Sequence, residues 1–100
     1  MAYITISPKF IAQLKEICEY LSDNRSTEFA NEFVDKVFDE IAQLERFPKL
    51  WQQIDIPHVE GEFRRILLGV HQIFYENAGE HVIVHSIIDG RRRPPLFRPD

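Results

Sequence analysis

Lysine is absent after Lys49, and cysteine occurs once, as Cys18. A lone cysteine excludes an intramolecular disulfide, so the chain fits a reducing compartment and needs no disulfide scaffold. No apolar run approaches the roughly 20 residues of a membrane helix. The opening Met1-Ala2-Tyr3-Ile4-Thr5-Ile6 lacks the basic region and long apolar stretch of a secretion signal. The expected location is the cytoplasm, with no membrane partner. Metal ligands are scarce as well. His81 and His85 sit four apart on a strand-like run, about 13 Å along an extended chain, too far to share one ion. No metal and no cofactor is expected, and Cys18, on an apolar helical face, reads as a buried inert thiol.

What is present is a globular composition, 44% hydrophobic and 28% charged in 100 residues, with a net charge of -4. That size predicts one domain spanning residues 1–100. The charge is uneven. Residues 1–60 hold six basic and eleven acidic groups, whereas residues 61–100 hold five acids and six arginines, Arg64, Arg65, Arg91, Arg92, Arg93 and Arg98. Guanidinium groups suit bidentate contact with phosphate or carboxylate. The overall acidity argues against broad nucleic-acid binding. Glu16, Glu19, Glu28, Glu32, Asp35, Asp39, Glu40 and Glu45 read as the solvated side of two helices.

Tyr3 to Ile6 is a short β-branched run and predicts a strand. Ser7-Pro8 pairs a capping hydroxyl with a residue suited to the first helical position. Phe10, Ile11, Leu14, Ile17, Cys18 and Leu21 then recur on one helical face until Ser22-Asp23-Asn24. Ser26-Thr27-Glu28 opens a second helix. Its seam of Ala30, Val34, Val37, Ile41 and Leu44, widened by Phe29, Phe33 and Phe38, runs to Phe47 before Pro48. The short link makes an antiparallel helical hairpin. Lys49 to Glu60 reads as a connection in which Trp51 packs over the hairpin's end. Phe63–Leu68, Val70–Glu76 and His81–Ile88 read as strands joined by short turns. Arg91-Arg92-Arg93-Pro94-Pro95 leaves the sheet. The predicted fold is α+β: an N-terminal strand, a helical hairpin and a three-stranded antiparallel meander. The hairpin covers one face, with Phe10, Leu14, Ile17, Val37, Ile41, Phe74 and Val84 in the core.

Four segments carry a family resemblance over nearly the whole chain: Ala42-Gln43-Leu44-Glu45-Arg46-Phe47-Pro48, Gly61-Glu62-Phe63-Arg64-Arg65-Ile66, His71-Gln72-Ile73-Phe74-Tyr75-Glu76, and Val82 to Ile88 followed by Asp89-Gly90-Arg91-Arg92-Arg93. In this order they resemble the RelE/ParE toxin superfamily, toxins of type II toxin–antitoxin and plasmid stabilisation systems. The long hairpin and acidic balance look more like the ParE branch, whose members inhibit DNA gyrase. The RelE branch cleaves messenger RNA on the ribosome. Two positions depart from the pattern. Lys49-Leu50-Trp51 follows the helix-ending proline where relatives often carry a small residue, and Asp89 stands at the usual histidine position.

The resemblance implies a toxin neutralised by a cognate antitoxin, as a homodimer or a toxin–antitoxin hetero-oligomer. Its target-binding residues would be Arg64, Arg65, Arg91, Arg92 and Arg93. The bland alternative is that these arginines solvate the sheet and pair with Asp89 or Glu62. A ribonuclease must deprotonate a ribose hydroxyl and protonate a leaving oxygen. With no lysine after Lys49, the remaining candidates are Arg64, His85 and Arg92, with Glu62 as a further proton carrier. The residues therefore favour binding over catalysis. A RelE-like ribonuclease is the alternative, and a degenerate non-toxic member a third reading.

Overall fold

Ser7 joins the first strand to the first helix and ties both to the last strand. The computed structural model describes residues 1–90. In it β1 (Tyr3–Ile6) passes through Ser7 into α1 (Pro8–Asn24). The Ser7 hydroxyl oxygen accepts the Phe10 N–H at 3.1 Å, and its proton goes to the His85 carbonyl at 2.7 Å. Pro8 takes a position where no N–H is required. Ser26 caps α2 (Thr27–Gln43) in the same way, accepting from the Phe29 N–H at 3.0 Å. In the link between the helices, the Arg25 guanidinium lies 4.4 Å from the centre of the Phe29 ring.

The second helix ends at Gln43, short of the expected Phe47. From Leu44 to Arg46 each N–H reaches back three residues, to Ile41, Ala42 and Gln43. Such bonds tighten a helix end. Pro48 disfavours helical backbone only at Phe47, so the turns from Leu44 onward shorten the helix before the proline is reached.

The remaining chain forms β2 (Gln53–Ile54), β3 (Glu62–Leu68), β4 (His71–Ala78) and β5 (His81–Asp89). The sheet order is β1-β5-β4-β3-β2. The expected meander β3-β4-β5 is present and antiparallel, while β1 runs parallel to β5. Each hairpin turns on two residues, Gly69-Val70 and Gly79-Glu80. The glycines have φ of 60° and 71°, and their followers are not in the left-handed region. Positive φ at the first central residue alone is the type II′ pattern. The short strand β2 was not expected. It lies inside the connection and pairs Gln53 with Arg64 and Ile54 with Phe63.

The helices cover one sheet face. Phe10, Leu14, Val37, Ile41 and Leu44 pack there against Ile66, Ile73, Tyr75, Val82, Val84 and Ile87. Of the expected core, Ile17 is only half-buried at the margin, and Phe74 is buried on the opposite face. Tyr75 occupies the inward position instead, because successive strand residues point to opposite sides.

A β-bulge shapes β5. Tyr75 opposes Val84 and Phe74 opposes Ser86, so His85 is the extra residue. The inserted residue shifts the alternation, leaving both Val84 and Ile87 on the helix side. It also leaves the Ile87 N–H pointing beyond the end of β1, where the Gln13 side-chain oxygen accepts it at 2.9 Å. Burial there is affordable only with such a partner.

Candidate functional site

The β3–β4 ladder places Arg64 opposite Tyr75 on the helix side. Arg64 Nε donates to Glu62 Oε2 at 2.7 Å, and Nη1 donates to the Trp51 carbonyl at 2.7 Å and to the Lys49 carbonyl at 3.3 Å. Tyr75 Oη donates to the Pro48 carbonyl at 2.8 Å. Glu62 Oε2 also accepts from Asn77 Nδ2 at 3.0 Å. Two side chains from adjacent strands thus hold three carbonyls of the Pro48–Trp51 turn. Trp51 packs against the edge of the core as expected, while Phe47 and Leu50 remain 58% and 52% exposed.

The electrostatics follow from these contacts. Hydrogen bonds from Asn77 and Arg64 hold the Glu62 carboxyl below the usual carboxylate range. Burial pushes the Tyr75 phenol up, keeping it neutral and able to donate. The Arg64 side chain is only 13% exposed. Its charge is directed at the chain's own oxygens.

The far face has different chemistry. Arg65, Phe74 and Ser86 form one row across β3, β4 and β5, and Phe63, Glu76 and Ile83 form the next. His85 Nε2 lies 3.1 Å from Glu76 Oε1, and the imidazole centre is 5.9 Å from that of Phe63. Gly61 closes one end with φ of 129°. A Cβ there would sit 2.9 Å from Phe63 Cε2 and 3.1 Å from Glu76 Oε2. Arg65 Nε and Ser86 Oγ are buried and have no hydrogen-bond partner among the described residues. The His85–Glu76 pair therefore does not extend to a serine nucleophile.

Arg64 and Arg65 point to opposite sides, as the alternation predicts. Arg64 and His85 are not brought together, and Arg91, Arg92 and Arg93 lie outside the described residues. Sequence reasoning missed Glu76 as the partner of His85 and Asn77 as a support for Glu62. Both become visible once the β4 register is known, because Glu76 shares its side with Phe63 and Asn77 lies opposite Glu62. Two of the remaining histidines pack against aromatic rings. His81 stacks on Tyr3 and His71 on Phe33, with ring centres 5.6 and 4.7 Å apart.

The family model for the ParE toxin of the type II toxin-antitoxin system, parDE, matches residues 4–94. Among solved structures, a chain described as the chromosomal ParDE TA system from P. aeruginosa superposes with a TM-score of 0.71. It is 17% identical, over 87% of this chain and 94% of that chain. At that identity the likeness is one of fold. No curated protein matches.

Proposed function

The chain belongs to the ParE toxin family of type II toxin–antitoxin systems, and on that premise we propose that it inhibits DNA gyrase by binding it, until a cognate antitoxin neutralises it. The observation that carries binding over catalysis is the position of Arg64. Its guanidinium is committed to Glu62, Lys49 and Trp51, on the opposite side of the sheet from the His85–Glu76 pair. A proton carrier and a phosphate-stabilising cation must reach the same reacting group. These two do not. Arg65 and the cluster Arg91, Arg92 and Arg93 supply the target contacts, and Arg64 contributes by holding the Pro48–Trp51 turn. No helix among the described residues is long and apolar enough to cross a membrane.

The test pairs gyrase supercoiling with cleavage of ribosome-bound message, using purified protein. The expected result is loss of supercoiling, relieved by the antitoxin, with no codon-dependent cleavage. His85→Ala keeps gyrase inhibition within a few-fold, its fold checked by circular dichroism. Cleavage that His85→Ala abolishes would instead establish the ribonuclease, since loss of a general acid or base costs roughly a hundredfold or more in rate.

A further inference from the structure

The Pro48–Trp51 turn is held more firmly than a solvent-facing connection requires. Leu50 donates its N–H to the Phe47 carbonyl at 3.1 Å. That bond closes a four-residue turn with Pro48 at the second position, where its fixed φ fits. Tyr75 and Arg64 hold the carbonyls of Pro48, Lys49 and Trp51. Four of the five carbonyls from Phe47 to Trp51 thus have donors. The side chains are disposed the other way. Phe47 and Leu50, at the two ends of the turn, stand exposed, and a turn brings such ends within about 7 Å of each other. Arg46 and Lys49 are exposed beside them. Neither forms an ion pair among the described residues, and Lys49 acts on Glu62 from beyond ion-pair distance. From Arg46 to Ile54 the chain carries these two cations and no acid, although residues 1–60 are acidic on balance.

We infer that this turn anchors the target protein: Phe47 and Leu50 enter an apolar pocket on it, and Arg46 and Lys49 meet carboxylates at the pocket's rim. The inference rests on the gyrase reading and says what the turn held by Arg64 contributes to binding. An apolar centre with a charged rim is the anatomy of a binding surface. Because the backbone is already fixed, little freedom is lost when the two anchors are buried. The charge pattern selects the partner's chemistry. Carboxylates on the target are repelled by the acidic helix surfaces and drawn to these two cations, which orients the encounter.

The affinity of the full chain for purified gyrase, measured by surface plasmon resonance beside the supercoiling assay, tests this. Phe47→Ala and Leu50→Ala are each expected to weaken binding and inhibition by about tenfold or more, chiefly through faster dissociation. Both side chains face solvent, so circular dichroism and melting should match the wild type. Arg46→Glu combined with Lys49→Glu slows association by roughly tenfold at low salt, and the deficit shrinks as salt rises. Tyr20→Ala removes a similarly exposed ring from α1 and leaves the affinity unchanged. Wild-type inhibition that Phe47→Ala and Leu50→Ala leave within about twofold overturns the inference and spares the gyrase reading. A wild type that neither binds nor inhibits gyrase removes both. An effect of Tyr20→Ala as large as that of Leu50→Ala overturns the inference by moving the anchor to the helical hairpin. Loss of antitoxin affinity alone in the turn variants overturns it in favour of that partner.

Discussion

Arg64 and His85 lie two strands apart and on opposite faces of the same sheet. Arg64 opposes Tyr75, Tyr75 opposes Val84, and His85 is the next residue along β5. One step along a strand reverses the face, so the sheet itself separates the two groups that a ribonuclease reading would join.

Arg64→Ala removes the donor shared by Glu62 and two loop carbonyls. The expected destabilisation is about 2–3 kcal/mol, because charge-assisted bonds are lost and the remaining acceptors are partly buried. Arg64→Lys recovers little, since one ammonium cannot span the fork. Urea unfolding checks this. A midpoint unchanged by Arg64→Ala would remove the mooring role assigned to Arg64.

Tyr75→Phe deletes the bond to the Pro48 carbonyl and should cost about 1–2 kcal/mol. Arg64 and Tyr75 restrain the same turn, so their losses should not add. A double-mutant cycle with Arg64→Ala is expected to give a coupling of about 0.5 kcal/mol or more. Strict additivity would mean that the two side chains act independently.

Acidification titrates Glu62. Its folded-state pKa lies below the ordinary value of 4.5, owing to the bonds from Asn77 and Arg64. A depressed folded pKa contributes stability above the unfolded value, and that contribution disappears as pH falls through the folded one. Wild-type stability should therefore decline below pH 4.5, and Glu62→Gln should flatten that decline. Thermal unfolding across an acid series makes the comparison. Parallel curves for the two proteins would contradict the assignment.

Gly61→Ala introduces a Cβ 2.9 Å from the Phe63 ring at a φ of 129°. Left-handed strain and overlap combine, for an expected loss of about 2 kcal/mol or more. Gly69→Ala is the control, with positive φ but nothing within 4 Å of the added atom. Its cost should be about 1–2 kcal/mol, and the extra loss in Gly61→Ala reports the close contact together with the more strained φ of 129°.

Much of the fold was legible because its signals are local. Ser7-Pro8 and Ser26 carry their capping chemistry in the sequence, and the two turn glycines mark the hairpins. The inward parity of β4 was not legible, since Phe74 and Tyr75 are both buried, on different sides. Alternation identifies a strand in such a case without saying which set meets the helices. β2 was invisible for a related reason, as two residues become a strand only through their pairing with β3. The site was harder still. Arg64 looks the same in sequence whether it faces a target or two carbonyls 13 and 15 residues back along the chain. Only the path of the connecting segment decides.

The parallel pairing of β1 with β5 also sets an order of events at the ribosome. Ser7 and His85, joined by a hydrogen bond, are 78 residues apart in sequence. At about 5–20 residues per second, roughly 4–16 s pass between synthesis of the first strand and of its neighbour. During that interval the helical hairpin can form, but the sheet on which its apolar seam rests is incomplete. The face on which the hairpin rests is therefore completed only once β5 has been translated, so the last strand synthesised is the one that ties the first strand and helix into the fold.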